Sequence, residues 1–498
     1  MGATYPGGIK SWENVADNTD YVLAEHINDA YAEIIAIETD LDSLKAGTLN
    51  KKYGVYQNGT TSSVLTRLGD AIGKSLTPTV GTTVGVNDFE TIRPWSQIVR
   101  CNLADDGTVN AYEGEPGFVL DGSNGQVMIK IPKFYYKVSA EGYTRESWIA
   151  PDPAPGFVVH PAFVVNGAEK GYIFVSAYMG AEESAKLVSK TGVLPQYNKT
   201  RAQFRTLAQA RGTGWGICDL TSYSALQLLL MVMTANMNAQ TSIGKGISEM
   251  PYTTTHLAII NESAVNRIIV TNAAAANYLA GYQIGIGTTQ GGNQIVNQRS
   301  ITSITTYDAS NMAINFDGAA ANIAIGNMLY SMPGKTGGAD TVGKHAGRAA
   351  GTDGKTEVSM LGVQGMWGNW WQFIDGANMD SSYYMWYNDN PATHADDVFV
   401  SPYKRINHVL PSAADGYVRR FGNDPIKPWS MLTAETGGDS SGPVGDYYYR
   451  SATPANRVLL VGGLWFGGSS DGPWLWYVSY ASANADWTCG ARLLYKPV

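Results

Sequence analysis

Charge is scarce in this chain: only 16% of its 498 residues are Asp, Glu, Lys or Arg. The 35 basic and 43 acidic side chains leave a formal net charge of −8, and no basic stretch is dense enough to follow a phosphate backbone. Nucleic acid is therefore not an expected partner, since binding it rests on neutralising phosphates. Cysteine is scarcer still. Cys101, Cys218 and Cys489 are scattered; three separated thiols cannot close a disulfide framework and lack metal-ligand spacing, so buried thiols are expected. Long apolar runs are missing too. The longest, Ala225 to Met233, is too short to span a bilayer, and no membrane insertion is expected. Met1 to Lys10 has no positive region leading into an apolar stretch, so no secretory signal is expected. Pro6 stands where a myristoylation motif needs Ser or Thr.

Catalytic signatures are also lacking. The six histidines, His26, His160, His256, His345, His394 and His408, show no ligand spacing. There is no Gly-x-Ser-x-Gly elbow, no phosphate-cradling glycine loop and no His-Glu-x-x-His. The expectation is a protein that is not an enzyme, with no catalytic residue, no metal and no cofactor. Asp105-Asp106 and Asp396-Asp397 are paired acids on expected loops, open to calcium or simply to solvation.

What is abundant is glycine, tyrosine and apolar surface: 56 Gly, 29 Tyr and 44% hydrophobic residues. That composition favours turns, strands and aromatic surfaces over long solvated helices. The length corresponds to about three domains. A chain in this extracellular style without a signal fits assembly in a cytoplasm and release by lysis.

Along the chain, Met1 to Asn18 form a leading segment. Thr19 and Asp20 can cap a helix in which Leu23, Ile27, Ala30, Ile34, Ile37, Leu41 and Leu44 recur at alternating spacings of four and three, and Gly47 can stop it. Residues 19–47 therefore read as a coiled-coil helix. Isoleucine at several core positions leans toward three strands, although one amphipathic helix packed on its own domain fits the same pattern. Residues 48–97 read as a connector, with Tyr53-Gly54-Val55-Tyr56 strand-like, a short helical period from Val64 to Ile72, and turns and strands from Leu76 to Val86.

Residues 98–250 and 345–498 read as one domain. Gln126 to Val138 alternates lysine with apolar side chains, which predicts half-buried strands with Pro132 at an edge or bulge, and Gly171 to Tyr178 predicts another. Thr200 to Arg211 reads as a helix stopped by Gly212. Ser222 to Asn238 reads as a second, apolar nearly all round and so buried against a sheet. From 251 to 344 charge thins out and Thr, Asn, Ala, Gly, Ile and Val dominate. Alternating stretches such as Gln283 to Gly287 and Ser300 to Thr306 predict a small β-domain inserted into a loop, or one in series.

The last part of the chain carries the most specific pattern. Gly365-Met366-Trp367-Gly368-Asn369-Trp370-Trp371-Gln372-Phe373-Ile374-Asp375-Gly376 comes early, and Gly462-Gly463-Leu464-Trp465 with Gly490-Ala491-Arg492 comes late. These blocks resemble the C-type lectin-like fold in the form shared by formylglycine-generating enzymes and phage receptor-binding proteins, including tropism determinants and prophage tail fibres. Met366, Gly368, Asn369, Trp371, Phe373 and Asp375 follow the first block of that superfamily, and Gly462, Gly463, Trp465, Gly490 and Arg492 the second. Gln372 replaces the usual Glu, Phe373 the second Trp, and Leu464 and Ala491 also depart. Phe204 to Trp215 and Cys101 to Val109 are similar to segments of prophage tail proteins of this fold.

The resemblance implies an α+β fold: a C-type lectin-like domain with an inserted small β-domain, preceded by a short N-terminal trimeric coiled coil. It does not carry the enzyme's chemistry, because Cys489 has no second cysteine in the last domain to share copper. Trp367, Trp371 and Trp465 read as scaffold. In the family, the segment after the late block displays ligand-contacting side chains. Asp471, Trp474, Trp476, Tyr477, Tyr480, Asn484, Asp486 and Trp487 are the ligand-binding candidates there, with Tyr384 and Trp386 from a neighbouring loop; Tyr447-Tyr448-Tyr449-Arg450 is a third aromatic cluster. Period-two alternation puts Trp474, Trp476, Val478 and Tyr480 on one face and Leu475, Tyr477, Ser479 and Ala481 on the other, so one face must be core. Asp471, Asn484, Asp486 and Trp487 are expected to be exposed, with Tyr477 or Tyr480 beside them. Such a mixture of aromatic and small polar residues suits a carbohydrate or a protein ligand.

The function implied is a phage tail-tip or tail-fibre receptor-binding protein. It would be a homotrimer in the virion with other tail or baseplate proteins and a host cell-surface receptor as partners. A structural baseplate or fibre subunit using the fold as a building block is the alternative.

Overall fold

The computed structural model describes residues 51–59, 62–80, 82–342 and 356–498. The leading segment 1–18, the coiled-coil seam of 19–47, His26 and His345 lie outside the described residues.

Strands dominate, with few helices. The largest sheet runs in the order Lys404–Val409, Tyr384–Tyr387, Trp371–Met379, Arg457–Val461, Trp476–Val478, Tyr447–Arg450, Gly416–Phe421, Thr433–Thr436, and Cys489–Gly490 pairs alongside Trp371–Met379. A six-stranded sheet orders Trp215–Ile217, Leu493–Tyr495, Tyr172–Ser176, Gln126–Pro132, Val99–Leu103 and Val109–Tyr112, so the chain's last strand closes between two early ones. A five-stranded sheet orders Val158–Val159, Tyr135–Glu141, Thr144–Ala150, Tyr53–Asn58 and Thr66–Gly69.

The lysine-alternating stretch divides at Pro132 into two strands that join different sheets, Gln126–Pro132 and Tyr135–Glu141. Proline offers no N–H to extend the ladder, and the chain turns there. Within 48–97, the described residues from Tyr53 on join the core instead of linking two domains. Tyr53–Asn58 is held by Thr144–Ala150, and Tyr53, Val55, Phe89 and Trp95 lie in the main core. Val64 to Ile72 forms the short strand Thr66–Gly69 and a turn instead of a helix, since pairing with Tyr53–Asn58 overrides a weak local period.

Helix α1, Arg201–Gln209, begins at Thr200, whose side chain accepts from Gln203 N while the Gln203 side chain returns the bond to the Thr200 N–H. Helix α2, Leu220–Thr234, starts two residues earlier and ends four residues sooner than its apolar pattern predicts. Asp219 caps it by accepting from Ser222 N at 2.8 Å, and Ala235 at φ 48° ends it. Arg67 donates to the orphan carbonyls of Val232 and Met233, both at 2.8 Å, completing the C-terminus. The helix carries no charged side chain and contacts Tyr53–Asn58, Thr144–Ala150 and Trp371–Met379, so it fills the space between two sheets. Each fully buried leucine there contributes roughly 1.5–3 kcal/mol of apolar transfer.

Residues 262–331 build a sheet of their own, Arg267–Thr271, Asn311–Phe316, Gly292–Thr306, Gln283–Thr289 and Met328–Ser331, over a separate hydrophobic cluster. Trp465 is a member of that cluster, so the inserted sheet closes its core with a side chain from the late motif. The chain leaves and returns at one place: a methyl group on Gly246 would meet the Val358 backbone nitrogen at 2.9 Å.

Candidate functional site: a half-buried tyrosine shelf

The motif residues converge in the interior. Arg492 is buried and forms no ion pair among the described residues; its guanidinium donates to Gln372 Oε1 at 3.2 Å and to the carbonyls of Ser176, Gln364 and Gly365 at 3.0, 2.6 and 3.3 Å. Gln372 in turn donates to the carbonyls of Gly365 and Met366 at 2.8 and 3.0 Å. Asn369 accepts from Gly334 N at 3.0 Å and donates to Glu357, holding the two sides of the chain's return from the inserted segment. Burial pushes the Glu357 carboxyl up to about 7 against the opposing pull of Asn369 and Arg492. Trp465 donates to the Ser331 carbonyl at 3.2 Å, and Trp367 to that of Gly244 at 3.0 Å. Asp375 pairs with Arg205 through two bonds of 2.7 Å, and His394 Nδ1 lies 3.5 Å from the same carboxylate. Burial alone would raise Asp375, but His394 and Arg205 outweigh it and hold the carboxyl far below its usual range. These groups form a buried scaffold, bonded to one another and to backbone carbonyls.

The large sheet has two unlike faces. Tyr448 pairs with Trp476 on the face that buries Trp476, Val478, Val418 and Val461 in the main core. On the opposite face Tyr449 pairs with Tyr477, Tyr417 with Tyr447, and Leu460 with Tyr477. There α1 covers one end, with Phe204 against Phe373 at 6.0 Å, and the tyrosines continue beyond it as a half-buried row. Successive ring centroids are 5.1 Å apart for Tyr417 and Tyr447, 4.5 Å for Tyr447 and Tyr449, 5.7 Å for Tyr449 and Tyr477, and 5.0 Å for Tyr477 and Tyr480. Trp371 backs the row, 4.9 Å from Tyr477. Burial raises the hydroxyls of Tyr447, Tyr449, Tyr477 and Tyr480, which stay neutral donors.

Polar groups edge this shelf. Tyr417 OH and Ser469 Oγ share a hydrogen bond of 2.8 Å, and the Asp486 carboxylate is close enough to Tyr480 to help raise its hydroxyl. Asn484 is exposed, and its Oδ1 accepts from Ala481 N at 2.7 Å, which fixes the loop while leaving the amide NH₂ outward. Asp486 is half-buried and accepts from Thr488 N at 2.8 Å and Thr488 Oγ1 at 2.6 Å.

Asp471, Trp474 and Trp476 are corrected as ligand contacts, and the expected full exposure of Asp486 and Trp487 is corrected to half-burial. Asp471, expected to be exposed, is only 1% exposed and lies beneath Gly463 and Gly467, its Oδ1 accepting from Leu464 N at 3.2 Å. Trp474 and Trp476 are wholly buried because both project to the core side of the sheet; Trp476 donates to the Met431 carbonyl at 2.8 Å and Trp474 N to Asp446 at 2.7 Å. None of the three can touch a ligand at the surface. Strand alternation ends at Val478, so Tyr480 turns to stand beside Tyr477 instead of following Trp476. Trp487, expected to be exposed, is half-buried against Trp465, 5.2 Å away, and Tyr252, 5.9 Å away, and joins the loop to the inserted sheet.

Tyr384 and Trp386 lie three strands from Tyr477 in the same sheet, half-buried. Arg405 stacks on Tyr384 at 4.6 Å, and Trp386 donates to Asp380 at 2.8 Å. They are not part of the tyrosine row. Tyr417 and Ser469 were not legible as site residues, since nothing local marks the cross-strand partnership that brings them there.

All three cysteines are buried and free. Burial raises Cys101 and Cys218 to about 12, and raises Cys489 further, which leaves the thiols unreactive. Among the described residues no group of three or more His, Cys, Asp or Glu side chains could hold a metal ion, and no helix is long and apolar enough to cross a membrane. No protein-family model matches the chain, and no curated protein matches it significantly.

Proposed function

We propose that this chain is a phage tail receptor-binding protein that recognises a host cell-surface ligand through the tyrosine shelf of a C-type lectin-like domain. The observation that carries the reading is the continuous half-buried row Tyr417, Tyr447, Tyr449, Tyr477 and Tyr480, edged by Ser469, Asn484 and Asp486. Rings held by a sheet offer rigid contact area at low entropy cost, and the edge supplies hydrogen bonds for hydroxyls or amides. The lectin-like assignment is supported by the contacts that join the two motif blocks, Gln372 with Arg492 and Asn369 with Trp465, the latter pair also reaching the inserted segment. The protein acts by binding and not by catalysis, as the inert thiols favour. The heptad pattern of 19–47 supports a homotrimer in the virion, joined to other tail or baseplate proteins. Three shelves on one particle raise the avidity of a weak single site.

Adsorption tests this. Purified protein should bind cells of a sensitive host and compete with infection, and Tyr449→Ala with Asn484→Ala should abolish both while particles still assemble. Normal adsorption by that double variant overturns the reading, and failed particle assembly transfers the role to a structural subunit.

A further inference from the structure

A second surface feature stands apart from the shelf. Between the six-stranded and five-stranded sheets lies an open groove of about 680 Å³, within the range that holds a small ligand. Its walls are aromatic: Tyr112, Tyr135 and Tyr172 line it, and Tyr172 is among the more exposed large side chains of the molecule. Cross-strand pairing of Tyr172 with Pro132, and of Val99 with Lys130, brings these residues to one end of the sheet.

The cations of the groove are not equivalent. Arg93 is neutralised by Asp152 through bonds of 3.2 and 3.0 Å, and Lys133 by Glu169 at 3.0 Å. Lys130 has no carboxylate within ion-pair distance among the described residues. Its ammonium donates to Tyr112 OH at 3.0 Å and rests 4.6 Å from the Tyr172 ring centre and 5.4 Å from that of Tyr112. An ammonium has three protons to donate, and one is used on Tyr112. The neighbouring rings fix its position and leave its charge unopposed.

From this arrangement we infer a second binding site, for a saccharide carrying an anionic group. The sugar's C–H faces would lie on Tyr172 and Tyr135, the anion would meet Lys130, and the Arg93–Asp152 pair would offer donors and acceptors to hydroxyls. A carboxylate and a phosphate present the same chemistry to Lys130. The site shares no residue with the shelf and stands independently of the host-binding reading.

Calorimetric titration of the full chain tests it, with digalacturonate against its methyl ester and maltose 1-phosphate against maltose. At least one charged member should bind tenfold or more tighter than its neutral partner, and the member that does identifies the anion as carboxylate or phosphate. Lys130→Gln should remove that preference, Lys130→Arg should keep it, and Tyr449→Ala should leave it unchanged. Equal affinity within both pairs, no binding of any probe, or a preference that survives Lys130→Gln in a protein of unchanged melting temperature would overturn the inference.

Discussion

Tyr449 and Tyr477 face each other across two parallel strands, 5.7 Å between ring centres, on the side of the sheet opposite Tyr448 and Trp476. One register thus sorts four aromatic residues into two that build the core and two that meet solvent. Replacing Tyr477 by Ala removes ring contacts with Trp371, Tyr449 and Tyr480 and, the side chain being only half-buried, should cost about 2 kcal/mol. Trp476→Ala should cost roughly 3–5 kcal/mol. Thermal melts should show the difference, and cell adsorption should fall for Tyr477→Ala even at temperatures where it is fully folded. Equal destabilisation by the two substitutions would refute the two-faced sheet.

Asp375 makes stability fall in acid. Its carboxyl is held far below the usual range despite burial, through His394 and Arg205. A depressed carboxyl contributes stability that is complete above the unfolded-state value of about 3.9 and is lost as pH drops below it toward the folded value. Urea midpoints should therefore decline below about pH 4–5. Arg205→Met leaves the buried carboxylate without its main hydrogen-bond partner and should cost about 3–5 kcal/mol at neutral pH. A variant as stable as the parent at pH 7 would contradict this.

Asp471 acts in the opposite sense. Burial, with Asp446 adding to it, raises its carboxyl well above the usual range, and Oδ2 has no hydrogen-bond partner among the described residues. A raised carboxyl favours folding most below its unfolded value and opposes it increasingly as pH rises toward the folded one. Asp471→Asn removes that titration. It should be neutral or stabilising by about 1–2 kcal/mol at pH 7, with the advantage fading below about pH 4. Denaturation at the two pH values decides it, and a large loss at pH 7 would show that the charge is needed.

Much of the molecule was legible because local signals and tertiary packing agree there. Helix α2 announced its burial by carrying no charge along Leu220–Thr234, and the alternating stretches around Gln283 and Ser300 do form strands, Gln283–Thr289 and Gly292–Thr306. The site was only half legible. Alternation correctly required one face of the Trp476 strand to be core, yet which face depends on the partners Tyr448 and Leu460, distant in sequence. Asp471 misled for a different reason: an aspartate in a glycine-rich loop reads as solvated, and only the positions of Gly463 and Gly467 show that the backbone folds over it. The register that carries Tyr417 to Tyr447 leaves no mark within either segment.

Gln372 is held by three hydrogen bonds whose importance a single substitution can test. Its amide NH₂ donates to the buried carbonyls of Gly365 and Met366, while Oε1 accepts from Arg492. Gln372→Glu would keep the acceptor and add a charge that Arg492 could meet. It would also remove both donors and place a carboxylate oxygen against two carbonyls. Arg492 is already bonded to the carbonyls of Ser176, Gln364 and Gly365, so the new ion pair gains little geometry. Each unsatisfied buried acceptor costs about 1–3 kcal/mol, which exceeds the net gain from a buried pair whose desolvation cancels much of its attraction. Gln372→Glu should therefore lower the melting temperature at neutral pH and recover part of it in mild acid, where the protonated carboxyl regains one donor. A variant more stable than the parent at pH 7 would mean that Arg492, and not the two carbonyls, governs the choice of residue at this position.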